Sequence, residues 1–514
     1  MRYINNTDIQ LLPASRINRM KKYLPIIITL SFIKLIIQWF GNRNYGFHRD
    51  ELLHLSVSEH LDWGFMEFPP FIGAIGKLSY WLFDYSLLGV RLFPTLAGVA
   101  ILILCCLIAK ELGGKSKAIL LSGICILAFL PFYRNHTLFQ PVAFDQLFWT
   151  LGFYFIIKFI NSQNKKFLIL LGITLGLGLM NKYTILVWAF GLFIGLFFYQ
   201  KGNLFKNKWL YMSAMISLLT FLPNLIWQKQ NKFPLLKHLQ ALNENQLNAI
   251  NPLEFGLEQL NFPLTLIISL FGLVALVTDK NLRKYRTVGV ASIVIFVTMW
   301  LLNSKAYYVF AIYPVLFAGG AVKIEALLSK KSIWIYTIAF VTLVPSIYFI
   351  PEATPILSIE KFVKYKNLEE KKGRIELTGD YADMFGWEEQ VKLVDSVYQS
   401  LPPKEKKTCV LWAENYGEAG ALQILGKQYN LPNPISRHGS FWTWGYGNKD
   451  ADVWISLGNE KPSVEYVFEE VELVKIITHK YAIGEENGIP LYICRKPKVD
   501  IEKWWKDYEE HIFD

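Results

Sequence analysis

Eleven apolar runs fill the first 350 positions, and no other feature constrains the chain as strongly. They cover residues 24–40, 86–109, 118–133, 141–160, 167–180, 183–200, 209–227, 261–278, 287–302, 306–322 and 332–350. A perpendicular helix needs about 20 apolar residues to cross ~30 Å of hydrocarbon, and several runs fall slightly short of that. The sequence therefore predicts a polytopic α-helical membrane protein of about eleven spans. Composition agrees. Hydrophobic residues make up 53% of the 514 positions and charged residues 18%, with a mean hydropathy of +0.27. These values exclude a disordered chain, a disulfide scaffold and an ordinary cytosolic enzyme.

The net charge is +11 and the pI about 9.1. Such a balance points either to nucleic acid or to basic cytoplasmic loops. The distribution decides between them. With the N-terminus inside, segments 1–23, 110–117, 161–166, 201–208, 279–286 and 323–331 hold 20 Lys or Arg in 62 residues. Segments 41–85, 134–140, 181–182, 228–260 and 303–305, placed outside, hold 9 in 90. The asymmetry favours a cytoplasmic N-terminus and explains the pI without nucleic acid. RINRMKK precedes the first run, and no small-residue cleavage site follows it, so that run reads as an uncleaved span.

From about residue 351 long apolar runs give way to charge. TCVLWA (408–413), DVWISL (452–457), VELVKII (471–477) and PLYIC (490–494) read as strands, and 386–400 and 415–429 as helices. The expectation is a transmembrane domain over 1–350, with an outer loop at 41–85, and a soluble α/β domain over 351–514. Eleven spans place that domain outside the inner (cytoplasmic) membrane. Cys409 and Cys494 either pair there or stay as buried thiols.

The outer loop carries the strongest chemical signal, HRDELLHLSVSEHLDWGFMEFPPFIG at 48–73. Asp50 and Glu51 are adjacent acids close to the end of the first span. If 50–61 is helical, Asp50, His54 and Ser58 share one face, and Leu52, Leu53, Leu55, Val57 and Leu61 pack it down. Desolvation at this depth is expected to raise the Asp50 pKa and suit it to act as a general base. The bland alternative has Asp50 capping the helix and Glu51 solvated. Asp145 lies just inside the fourth run, and an acid in an apolar helix is a functional candidate. Its bland role is an ion pair with Arg134 or Lys182. Arg91, Lys182 and Lys305, with Tyr307 beside the last, are cations near span ends that suit a lipid phosphate, or that merely snorkel. His48, His54, His60 and Glu67 are further candidates, with Asp50, for a divalent metal ion, although no fixed metal spacing is present.

The acidic pair, the following E-x-P-P and the later Asp together resemble the GT-C membrane glycosyltransferases. The likeness extends to the protein O-mannosyltransferase family, glycosyltransferase family 39, and to the lipid A aminoarabinose transferases. HRDELLHLSVSEHLDWGFMEFPP is similar to the first-loop signature of bacterial members. FDQLFWTLGFYF, GLGLMNKYT, NLIWQKQNKFP, SKAYYVFAIYPVLFAGG and ENYGEAGAL resemble further family segments, so the likeness covers most of 45–430. The resemblance implies that Asp50 is the catalytic Asp, Glu51 its neighbour and Asp145 the second acidic residue. Glu67 falls where relatives have a metal- or donor-contacting Glu. Phe68 replaces the Lys of the aminoarabinose transferases, which shifts phosphate binding to Arg91, Lys182 and Lys305. The implied reaction is an inverting transfer from a polyprenyl-phosphate sugar to a hydroxyl of protein, lipid A or envelope glycan. The competing classes are a transporter or flippase, which places acids inside spans, and a noncatalytic surface-binding protein.

Overall fold

In a computed structural model that describes residues 14–247 and 251–513, every one of the eleven apolar runs is helical. The helices are α1 (Ala14–Gly41), α2 (Arg49–Glu59), α3 (Phe71–Phe83), α4 (Leu87–Glu111), α5 (Ser116–Ala128), α6 (Pro131–Thr137), α7 (Pro141–Ser162) and α8 (Lys166–Leu179). There follow α9 (Ile185–Leu196), α10 (Lys208–Gln230), α11 (Pro234–Leu242), α12 (Pro252–Leu260), α13 (Pro263–Thr278), α14 (Arg286–Leu301), α15 (Tyr313–Leu327) and α16 (Ile333–Ala353). Of the first basic segment, residues 1–13 lie outside the described part, as do 248–250 of the second long outer segment.

Seven of these helices are long and apolar enough to cross a membrane on their own, and nine spans result if two bent pairs are each counted as one. This is below the eleven expected, for two physical reasons. The pairs α5–α6 and α12–α13 bend by 69° and 103°. Pro131 and Pro263 open their second members, positions where a missing N–H costs no hydrogen bond. The two remaining runs are α8 and α9, of 14 and 12 residues, too short to cross perpendicular to the layer. Large apolar side chains such as Phe32, Phe190, Leu219 and Phe340 are exposed around the bundle, as lipid contact requires. Lys34, one turn from Gln38 inside α1, is fully buried with its ammonium over the Tyr133 ring at 4.6 Å.

Beyond α16 the chain forms a small α/β unit. A hairpin of β1 (Glu370–Lys371) and β2 (Arg374–Ile375) precedes a five-stranded sheet. Its strands are β3 (Val410–Ala413), β4 (Pro434–Ile435), β5 (Val453–Leu457), β6 (Phe468–Ile477) and β7 (Ile489–Pro497), in the order β4-β3-β5-β7-β6. The first three are parallel, and β7 and β6 close the sheet antiparallel. Every residue of β3 and β5 is buried, which is why both read as unbroken apolar runs. Helices Trp387–Ser400 and Tyr416–Ile424 cover one face. Trp412, Trp454, Trp504 and Trp505 fill the other.

The unit sits on the outer loop. Helix Tyr416–Ile424 packs along α2. The His60 ring stacks on Trp444 at 3.9 Å and 12°, and Glu67 accepts from the Ser440 backbone N–H at 2.8 Å and from its hydroxyl. Within the aromatic group at 441–447, Phe441 is buried, so that group builds core and interface together. Leu61 falls outside α2 and is exposed, unlike the other apolar residues of that stretch.

All five cysteines are free and buried, Cys409 and Cys494 included. A thiol-specific reagent applied to the folded, detergent-solubilised protein should modify none of them, and all five after denaturation. Intact mass spectrometry reads the difference, and a persistent two-hydrogen deficit would reveal a disulfide.

Candidate active site

The site is built on the N-terminus of α2. His48 is the N-cap, and its Nδ1 accepts from the Asp50 backbone N–H at 3.1 Å. Glu51 returns the contact by accepting from the His48 N–H at 2.9 Å, which completes a capping box. The cap is therefore His48 and not Asp50. Both acids lie in the first turn, where the helix dipole favours negative charge.

Glu51 and Arg91 have a different place from the one expected. Both side chains are fully buried, and they pair at 2.8 and 3.1 Å. Glu51 also accepts from the Phe139 N–H at 2.9 Å, so both its oxygens are taken. Arg91 donates its remaining bonds to the carbonyls of Gly46 at 2.8 Å and Asn44 at 3.4 Å. Arg91 thus spends four of its five donors inside the protein, and Glu51 has no lone pair open to a substrate. Chemistry was expected at these two residues; in the structure their side chains are engaged mainly with each other. The reason is mutual: each is the only partner that neutralises the other in a dry site.

Asp50 is partly buried and holds two hydrogen bonds. Gln140 Nε2 donates at 2.7 Å, and the Tyr416 hydroxyl donates at 3.1 Å. A carboxylate offers about four lone-pair positions, so this one keeps room for a substrate hydroxyl. Burial pushes the Asp50 carboxyl up, but His48, His54, Arg134 and the Tyr416 hydroxyl outweigh it and hold it below its usual range. The expected rise is therefore reversed, because the cations around the site win over desolvation. His48 responds in kind. Burial pulls its ring down, while Asp380, Asp50 and Asp383 raise it above the ordinary histidine value.

From Asp50 a polar track crosses the end of the bundle that carries the 41–85 loop. Gln140 Oε1 accepts from Arg134 at 3.0 Å, and Arg134 forks onto Asp380 at 2.6 and 3.0 Å. The Arg134 guanidinium lies 5.9 Å from the Tyr307 ring centre, and Tyr307 packs edge-on against Tyr308 at 4.7 Å. Lys182 stands over Tyr308 at 4.0 Å, and both Lys182 and Lys305 act electrostatically on that hydroxyl. Neither lysine forms an ion pair among the described residues. A cavity of about 590 Å³ adjoins the track, lined by Arg134, Tyr307, Asp380, Glu352, Phe262 and Leu130 among others. Asp145 is buried, and its two oxygens accept from Trp149 Nε1 at 3.0 Å and the Thr184 hydroxyl at 2.7 Å. It pairs with neither Arg134 nor Lys182 directly, although the Lys182 charge acts on it.

The residues considered for a metal do not converge. His54 Nδ1 is 2.9 Å from the Phe139 carbonyl, and burial lowers its pKa to about 4. Glu67 is engaged with Ser440, and His48 Nε2 faces Asp380 and Asp383 at 3.6 and 3.7 Å. Among the described residues no group of three or more His, Cys, Asp or Glu is arranged to hold an ion.

The sequence model of the dolichyl-phosphate-mannose-protein mannosyltransferase family matches residues 67–227. Apo ArnT from Cupriavidus metallidurans is similar at a TM-score of 0.60 and 12% identity, over 92% of this chain and 98% of that one. ArnT bound to undecaprenyl phosphate is similar at a TM-score of 0.56 and 12% identity, over 94% and 98%. The fold is that of the GT-C membrane glycosyltransferases. No curated protein matches the sequence. Within this GT-C fold, Gln140, Asp380 and Tyr416 were not among the site candidates of the sequence. Gln140 had a weak signal, directly before the Pro that starts α7. Asp380 and Tyr416 lie more than 300 residues from Asp50, and nothing local connects them to it.

The buried pair makes a stability prediction. Removing one member leaves an uncompensated charge in a dry site, typically a loss of about 3–5 kcal/mol. Glu51→Gln and Arg91→Met should each lower the midpoint of thermal unfolding in detergent. Activity per folded Glu51→Gln molecule should fall far less than that of a variant at Asp50.

Proposed function

We propose that the protein transfers a sugar from a polyprenyl-phosphate donor to a hydroxyl acceptor outside the inner membrane, with inversion, using Asp50 as general base. One observation carries the choice of Asp50. Of the three acids singled out, Glu51 and Asp145 are buried, Glu51 with every lone pair taken in a dry core and Asp145 under Trp149 and Thr184. Asp50 alone is partly exposed with lone pairs to spare. Its lowered pKa keeps it ionised at neutral pH, the form that accepts a proton.

In this reading the acceptor hydroxyl gives its proton to Asp50 as its oxygen attacks the anomeric carbon. The bond from that carbon to the phosphate oxygen breaks, and polyprenyl phosphate leaves with the electron pair. Lys182 and Lys305 stabilise the growing charge on the phosphate, with Tyr307 and Tyr308 forming the wall between them and Arg134. Asp145 orients Lys182 as a charge partner. The structural neighbour captured with undecaprenyl phosphate supports a lipid of this class. The basic segments support a cytoplasmic N-terminus, which sets Asp50 and the α/β unit on the outer side.

Two experiments test this. Asp50→Asn keeps shape and hydrogen bonding but cannot take the proton, so transfer should fall about 10²–10⁴-fold. Asp145→Asn should be intermediate, and Lys182→Ala should weaken donor binding more than acceptor binding. The assay follows polyprenyl phosphate released from the native polyprenyl-phosphate-sugar fraction, using envelope membranes as acceptor and matched protein levels. Normal release by Asp50→Asn moves the base elsewhere. No release by the wild type, with lipid flux across vesicles instead, makes the protein a transporter. For orientation, Lys449 is exposed on the α/β unit and the native thiols are buried. Lys449→Cys should therefore react with an impermeant thiol reagent on cells whose outer face has been opened, and silence there would reverse the topology.

A further inference from the structure

The segment ENYGEAGAL at 414–422 has a regular local structure whose purpose the reaction above leaves open. Asn415 caps the helix Tyr416–Ile424, accepting from the N–H groups of Gly417 at 2.8 Å and Glu418 at 3.1 Å. Glu418 reaches back to the Asn415 N–H at 3.4 Å and the Glu414 N–H at 2.8 Å. This capping box fixes the direction of the first helical residue, Tyr416. The helix then lies flush on α2. A Cβ at Gly420 would stand 2.9 Å from the Leu52 Cβ, and one at Gly417 2.6 Å from the Arg49 Cγ. Any larger residue at either position would lift the helix away. Arg49 adds a lateral tie to Asp383 at 2.9 Å and Glu485 at 3.0 Å, both on the α/β unit. The outcome is that the Tyr416 hydroxyl, 366 residues away in sequence, donates to Asp50 Oδ1 at 3.1 Å.

We propose that Tyr416 is a positioning residue for Asp50, so that the α/β unit completes the active site of the membrane domain. This inference rests on Asp50 being the base. Two donors from different domains, Gln140 and Tyr416, hold one oxygen each and so fix the plane of the carboxylate. With only one of them the carboxylate turns about its Cβ–Cγ bond, a broad and soft torsion. The oxygen that must meet the acceptor proton is then misaligned for part of the time. The Tyr416 ring is held independently, packed on His438 at 5.0 Å, so the hydroxyl alone makes the link.

The test is Tyr416→Phe in the full-length protein, in nanodiscs, with the native polyprenyl-phosphate-sugar fraction as donor. The charged and titratable groups around this pair are His48, His54, Arg49, Arg134, Asp383, Tyr307 and His438. None of them is altered by the substitution. The ionised Asp50 is the active form, so activity is present above its pKa and lost as pH falls through it. Loss of a donor raises that pKa, so the acid limb of the kcat profile should move to higher pH. At neutral pH kcat should fall about tenfold to a hundredfold, the worth of a hydrogen bond to an ionised group, with the donor KM within twofold of wild type. A role in packing alone would lower the unfolding midpoint and leave the acid limb in place. Asp50→Asn is run beside it. If Asp50→Asn is inactive and Tyr416→Phe has wild-type kcat and acid limb, the assignment of Tyr416 is overturned and the base stands. If Asp50→Asn is active, the reading of the base itself fails.

Discussion

The pair Glu51–Arg91 sets the geometry on which the rest of the site depends. It ties α2 to α4, and its remaining bonds collect the 44–48 approach and the 138–140 link between α6 and α7. A buried ion pair is poor evidence for stability, since well-packed apolar residues of similar size do as well or better. Its value here is positional. Phe139 is fixed by Glu51, and the next residue, Gln140, donates to Asp50. Two adjacent acids on one helix turn are thus divided: Glu51 faces inward and holds the frame, and Asp50 faces the link that the frame has placed.

The charge at Asp50 is balanced across both parts of the molecule. His48, Arg49 and Arg134 come from the membrane domain, and Asp380 and Asp383 from the segment after α16. Burial alone would protonate these carboxyls. The cations keep Asp50 and Asp380 below their usual range, while burial keeps Asp383 above it. The same contacts bring the α/β unit onto the 41–85 loop.

Much of this architecture was legible in the sequence, for a physical reason: burial in lipid or in a sheet core leaves a mark within 20 consecutive residues. The apolar runs, the two α/β helices and the four long strands all carry such marks, as does the acidic pair in the outer loop. What could not be read depends on partners far along the chain. A sequence shows Arg91 near a span end but not that Glu51 awaits it. It shows that Asp50 is partly desolvated but not that cations surround it, and so the direction of its pKa came out reversed. Asp380 and Tyr416 had no local signal, since loop residues acquire their roles only when the domains meet. Fewer helices are long enough to span alone than there are apolar runs for a related reason: the bends at Pro131 and Pro263 and the shortness of α8 and α9 are visible only once the helices are placed.

Most cations near this face already have a partner within the protein. Nine Lys or Arg lie in the outer segments. Arg49, Lys77, Arg134, Lys232 and Lys237 each have a carboxylate partner within 3.6 Å. Arg43 lies over the Trp39 ring at 4.7 Å, at the end of the first span. Lys182, Lys229 and Lys305 remain. Of these three, only Lys182 and Lys305 converge on one residue, Tyr308, and only Lys182 also acts on a buried acid, Asp145. Snorkelling lysines extend toward water one by one and have no reason to meet. Lys182 stands over the Tyr308 ring at 4.0 Å and Lys305 acts on the same hydroxyl, so positive charge gathers beside the buried Asp145 with no carboxylate ion-paired to it among the described residues.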